Sequence, residues 1–493
     1  MSILDDEQIS KFQPFEITDE VLQKFNEEGE IPVHFYNKDG QILIYKKEHA
    51  SEAEIQRLLR FVDQGIYYNT DDADKLGMGG DTREVPDGLT DTKLLGQEMG
   101  KELTADTTQL FGELKKSSMT AFQTRRTTER LTNVFEDFEN QPDAMTGLVN
   151  IIEIMGDTGQ EAGHEVAMAV KRTVVAMAMK TRGMQANTAR DKAKMQDMVG
   201  VLMTSAMLCD IGNMRMKMPT TTGLTPKEMQ YVRQHPLMSY LMLAHDREID
   251  PRIKHNVLCH HRPMREGLTS NNYPETRVLL KKLRELYQTY SDDPARQNIA
   301  QDIAQQMELI TTDIPYEEDL NILALASEFA SLTSDVPWRP AFPPAKAVRM
   351  IINNSYFTYT DRILREFLDY VAISMCDNQK ILREGDFLIV AARGRDDKTY
   401  FEVCHITNST RYQSKPGINR IGTVNPIIEK TPKLRLAGFD MGTFRGDPRM
   451  AHYEMAKDDT RHIVYAPDPD EPRDQEMLKV FEEQLRSRRP SQG

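Results

Sequence analysis

The chain has 493 residues, with 62 lysines and arginines against 76 aspartates and glutamates, for a net charge of −14. That length allows about two to four domains, and the acid excess argues against a general binder of nucleic-acid polymers, which needs a basic surface. An acidic start without an apolar signal core, four scattered cysteines with no CxxC, and no apolar run of about eighteen residues together predict a cytoplasmic protein with no membrane span.

Residues 1–70 read as a small α+β unit. IPVHFY and QILIYKK are strand-like, and Asn37-Lys38-Asp39-Gly40 between them is a hairpin signal. A helix follows, with Ile55, Leu58, Leu59 and Val62 on one face. Residues 71–145 are expected to be a linker and then a polar helical connector. The linker is acidic and glycine-rich. The connector carries a basic patch (Lys115, Lys116, Arg125, Arg126, Arg130), and such a helix pair is either solvated or the contact of a homodimer.

Residues 146–375 are helical by periodicity. The run MAVKRTVVAMAMK suggests a soft core helix. Val199, Leu202, Met203, Ala206 and Met207 form an apolar face that leads into Cys209-Asp210-Ile211-Gly212, where Gly212 is placed to end the helix. Thr225, Pro226 and Glu228 spell an N-cap, a first-turn proline and a capping box. Pro236 should break or kink that helix just after His235. Residues 376–493 read as a small β domain, with FLIVAARG and YFEVCHIT flanking a polar turn, and with a polar, proline-rich tail. The fold class expected is therefore mainly α, with a small α+β unit before the helical domain and a small β domain after it.

Six of the eleven histidines lie between His164 and His261. Imidazoles and a carboxylate delivered from successive helices suit a divalent-metal site that holds a phosphodiester and activates water. Asp210 is the acid placed to bridge two ions. His235, His260 and His261 complete one position, and His164 with Cys209 belongs to a second. Cys209 is equally readable as a softer ligand or as an inert buried thiol.

The segments LCDIGN, GLTPKEMQYVRQHPLMSYLML, HHRP, NNYP and LALASEFASLTSDVPWRPAFPPAKAVRMI, in that order and spacing, resemble the HD-GYP family across 146–375. The resemblance implies an all-helical HD-type domain of a bacterial, metal-dependent cyclic di-GMP phosphodiesterase. The N-terminal unit and the C-terminal β segment are similar to domains that often flank it. His164 matches the family's first histidine, Asp210 the aspartate of the HD pair, and His235, His260 and His261 the remaining histidines. Departures are several. Cys209 replaces the HD histidine, and the late aspartate falls on Ser327, with Glu328 adjacent. Gln160 replaces a glutamate and Asn213 a lysine. The Gly-Tyr-Pro segment is reduced to Asn272-Tyr273-Pro274, and residues Arg262 to Gly267 lack the family's acid. The implied substrate contacts are Arg339, Tyr273 and Arg262, with Arg339 open to a purely structural ion pair. Lys217, Arg262 and Arg265 are placed to make the pocket basic or simply to be solvated.

Because one metal position keeps its ligands and the other is weakened twice, one firmly bound ion (iron, manganese or zinc) is expected. Two functions follow from the resemblance. One is a degenerate signalling output module that binds metal and cyclic di-GMP or a protein partner with weak or no hydrolysis. The other is an active phosphodiesterase with an altered ligand set and Asp210 as its catalytic residue.

Overall fold

The computed structural model describes scattered residues between 12 and 69. From residue 97 onward it describes the chain except 141–162, 182–187, 221–222, 262–275, 313–316, 375–381, 395, 409–413, 431–433 and 488–493, and except the side chains of 97–99, 137–140, 317, 372–374, 448 and 449. Helices dominate, accompanied by one four-stranded and one five-stranded antiparallel sheet.

The N-terminal sheet orders β1 (Phe12–Pro14), β4 (Tyr67–Asn69), β2 (Phe35–Tyr36) and β3 (Ile42–Ile44). The expected hairpin is present as the β2–β3 pair, with Phe35 opposite Ile44; its turn residues Lys38, Asp39 and Gly40 lie outside the described residues. Ile55 and Leu58 of the expected helix are fully buried against Phe25, Val33 and Phe35, in a core separate from the rest.

The helical part begins with α1 (Gln97–Leu114) and α2 (Ala121–Asn140). These are not merely a solvated connector. Leu103, Phe111, Leu114, Leu131 and Phe135 enter the same core as the helices that follow, while Arg130 stays outside, paired with Glu102 and Asp106.

The central element is α3 (His164–Thr181), buried on every side from Met168 to its end. A helix apolar all round belongs in a core, yet this one carries three cations, and each has a partner. Lys180 pairs with Glu318 and Asp319, Lys171 donates to the Thr333 carbonyl and the Ser334 hydroxyl, and Arg172 reaches Asp210. Glu318 and Asp319 open α10 (Glu317–Leu332), whereas Thr333 and Ser334 follow its end, so α3 and α10 run antiparallel.

Between them in sequence lie α4 (Ala189–Leu208), a 3-10 turn (Ile211–Arg215), α5 (Pro226–Val232), α6 (His235–Ala244), α7 (Pro251–Cys259), α8 (Thr276–Ser291) and α9 (Gln297–Thr311). The capping box at Thr225 and Glu228 is formed in both directions. Pro236 does not kink a continuing helix. The chain ends α5 at Val232 and starts α6 at His235, placing the proline in a first turn, where its missing N–H needs no partner.

After α11 (Pro344–Ser355) and α12 (Asp361–Ser374) comes the second sheet, ordered β8 (Arg435–Glu454), β7 (Gly417–Glu429), β6 (Thr399–Asn408), β5 (Phe387–Arg393) and β9 (Arg461–Tyr465). Strand alternation sends Leu388, Val390, Cys404, Ile406 and Ile418 into the core of the helices. Phe387, Ile389, Phe401 and Val403 face the other way, where Met477 and Phe481 cover them. Those two residues sit on α13 (Pro472–Arg486), so part of the expected polar tail is an amphipathic helix that closes the sheet's outer face.

Candidate metal centre

Asp210 stands between the end of α4 and the 3-10 turn, and Gly212 decides how close that turn comes to α6. A Cβ on Gly212 would meet the Ser239 backbone nitrogen at 2.5 Å and the His235 carbonyl oxygen at 2.6 Å. The Gly212 amide also donates to the Ser239 hydroxyl at 2.8 Å. The glycine expected to terminate a helix instead permits a close approach, which brings Asp210 beside the first residue of α6.

That residue is His235. Its Nδ1–H donates to the Val232 carbonyl at 2.9 Å, and the Nδ1–H of His260, just past α7, donates to the Val257 carbonyl at 2.8 Å. Because a carbonyl only accepts, both rings carry their proton on Nδ1 when neutral, and both Nε2 lone pairs point elsewhere. They converge. His235 Nε2 lies 3.2 Å from His260 Nε2 and 3.2 Å from His261 Nε2. Asp210 Oδ1 is 3.1 Å from His235 Nε2 and 3.6 Å from His260 Nε2.

Bare lone pairs and a carboxylate oxygen at such distances repel one another unless a positive charge sits among them. A single proton satisfies only part of the set. An ion bound at about 2.0–2.1 Å by tetrahedral ligands separates them by about 3.3 Å, close to the spacings observed. The donor set fits a divalent ion such as zinc, manganese or iron, with three neutral imidazoles and one carboxylate oxygen. Within the described residues, His235, His260 and His261 are the cluster with metal-ligand geometry.

Electrostatics agree with the geometry. Burial pushes the Asp210 carboxyl up, but the Arg172 guanidinium and the His235 ring outweigh it and hold the group well below the usual carboxylate range. Burial, then the neighbouring His235, pushes His260 down to about 3, and burial with the adjacent rings also lowers His261. The site thus favours an ionised acid at Asp210 and neutral imidazoles at His260 and His261, the protonation states a metal requires.

The other expected ligands have surroundings of their own. His164 opens α3, a third exposed, with Glu165 as its ionic neighbour at 3.4 Å. Cys209 is fully buried in the apolar core, and burial pushes its thiol up to about 12, which leaves it protonated and a poor ligand. Asp210 does not have two oxygens free for bridging: Oδ2 accepts from Arg172 Nη1 at 2.5 Å. Glu328 Oε2 accepts from the Tyr359 hydroxyl at 2.7 Å. Ser327 is a buried neutral hydroxyl with no hydrogen-bond partner among the described residues.

Arg339 has a structural task. Its guanidinium donates to the carbonyls of Ser331, Leu332 and Pro340 and lies 4.6 Å over the Phe342 ring, capping the end of α10. His245 and Lys217 are exposed, whereas His255 is fully buried with Nδ1 3.2 Å from Gln306 Oε1. Gln160, Arg262, Arg265 and Tyr273 lie outside the described residues.

Sequence reasoning missed Arg172. The signal was present: Lys171-Arg172 inside an apolar helix is a charged pair that burial permits only with partners.

No family model matches the chain, and no curated protein does. Among solved structures, an HDG"Y"P protein from Bdellovibrio bacteriovorus is similar at a TM-score of 0.35 and 10% sequence identity, over 72% of this chain and 98% of that chain. A likeness of that degree carries no argument, so the function is argued from the side chains and the sequence.

Proposed function

We propose that this protein is an HD-GYP-related signalling output protein whose helical domain holds one divalent ion and binds cyclic di-GMP or a partner protein with weak or no hydrolysis. The observation that carries it is the convergence of His235, His260 and His261 Nε2 on Asp210 Oδ1. When bound, the ion supplies a Lewis acid for a phosphate oxygen. His235, His260, His261 and Asp210 hold it, and the backbone carbonyls of Val232 and Val257 fix the tautomers of two of those rings. Weak or absent hydrolysis is supported by the protonated Cys209, by Asn213 in place of a cation, and by the arginine on Asp210.

The test is to incubate purified protein with cyclic di-GMP and excess manganese or iron(II). Linear dinucleotide and GMP are followed, and binding is measured by calorimetry. Saturable binding without turnover is expected. Turnover that vanishes in Asp210→Ala would replace this function with a phosphodiesterase of altered ligand set. A protein that binds neither metal nor nucleotide would leave only protein–protein interaction.

A further inference from the structure

We propose that Arg172 is a built-in cation standing where a second metal ion would contact Asp210, and that it limits the centre to one ion. This rests on the metal-binding function proposed above. The two oxygens of Asp210 face different partners, with Oδ1 toward the imidazoles and Oδ2 toward Arg172 Nη1 at 2.5 Å. The guanidinium is held from a second side, because its Nε donates to the Ala206 carbonyl at 2.6 Å, and the side chain is 1% exposed.

An arginine stays protonated in proteins, so its charge cannot be titrated away to admit a metal. A divalent ion on Oδ2 would have to displace that buried charge and then find further ligands. Those the sequence suggested are absent there. Cys209 is fully buried among apolar side chains, and His164 lies eight residues before Arg172 on the same helix, about 12 Å along its axis.

The arrangement has a consequence for ligands. Asp210 and Arg172 cancel, so an ion among three neutral imidazoles keeps nearly its whole charge for an anionic guest. A phosphodiester has the chemistry that suits it.

The test uses manganese and needs no turnover. Wild-type protein dialysed against manganese and analysed for metal is expected to hold one ion per chain, with a single-ion paramagnetic resonance spectrum and no exchange-coupled pair even at millimolar manganese. Arg172→Ala is expected to rise from one ion toward two, the second held more weakly and displaced by millimolar guanidinium chloride. Arg172→Lys, which retains a cation, is expected to stay at one. An exchange-coupled pair in the wild type overturns the proposal, as does a folded Arg172→Ala protein that remains at one ion. If Arg172→Ala does not fold, the wild-type spectrum and Arg172→Lys decide: a coupled pair or a second ion in either overturns it, and a single ion in both supports it. Wild-type protein that holds no metal removes the metal function and this inference together. One ion in both wild type and Arg172→Ala removes this inference alone.

Discussion

At the scale of single residues, the proton on Nδ1 of His235 and His260 matters more than the histidines' number. Each ring spends that proton on a carbonyl three residues back, which leaves Nε2 as a donor to an ion. His164, on the surface end of its helix, has no comparable arrangement. His260→Ala is therefore expected to weaken manganese binding by more than the roughly 10–100-fold typical of losing an outer partner. His164→Ala should leave it unchanged. Competition against a fluorescent chelator measures both, and equal losses would contradict the assignment. The sequence placed His235, His260, His261 and Asp210 in one site, because residues delivered by consecutive helix ends can be recognised from spacing. It did not reveal that Arg172 claims the other carboxylate oxygen, since that depends on which face of α3 meets the end of α4.

At the scale of elements, two contacts hold the ligand-bearing helices in register. The first is the close approach at Gly212. Gly212→Ala drives a Cβ into the Ser239 nitrogen and the His235 carbonyl, backbone atoms that cannot rotate aside. It is expected to destabilise by about 1–3 kcal/mol and to lower metal affinity as well, because the displaced turn carries Asp210. Thermal melts with and without manganese test both halves. The second contact pins α7, which leads to His260. Lys254 on α7 pairs with Asp302 on α9, and the Tyr240 hydroxyl from α6 donates to the same carboxylate at 2.8 Å. Both charged groups are buried. Lys254→Met leaves an uncompensated carboxylate and is expected to cost about 3–5 kcal/mol in urea unfolding. A loss near zero would show that water or another cation already serves Asp302. The sequence predicted the caps of α5 because a capping box is local. It expected a break at Pro236, and the chain does break there, between Val232 and His235, but it missed the close approach at Gly212, which acts against a neighbouring helix.

At the scale of the whole molecule, one apolar core joins α1–α4, α6, α7 and α10–α12 with the inner face of the second sheet, and a second core packs α8 and α9 against α6 and α7. Besides His260 and His261, two histidines away from the candidate metal centre titrate to the disadvantage of that body. Burial lowers His255, only partly offset by Gln306. Burial also lowers His462, which stacks on Tyr356 and faces Asp361 and Arg365 across the junction of α12 and β9. A folded-state pKa below the unfolded value of 6.5 means that the unfolded chain binds protons first as pH falls. The stability is complete above 6.5 and is lost on descending toward the lowered values. The melting temperature of the metal-free protein is expected to drop between about pH 7 and about pH 5, and less in a His255→Gln, His462→Gln double variant. An unchanged slope in that variant would assign the acid sensitivity to other groups. No helix among the described residues is long and apolar enough to cross a membrane.

Local chemistry fixed what the amino-acid order alone determined here: a helix-dominated chain with a sheet at either end, the capped start of α5, and the four side chains proposed as metal donors. Each depends on neighbours a few residues apart, or on residue types suited to one chemistry. Tertiary packing alone decided that α1 and α2 share the core, that part of the tail folds as a helix over the second sheet, that Cys209 is buried among apolar side chains, and that an arginine occupies the far side of Asp210. Those outcomes depend on which helix faces meet and on which charges burial forces together, and neither is written in any short stretch of sequence.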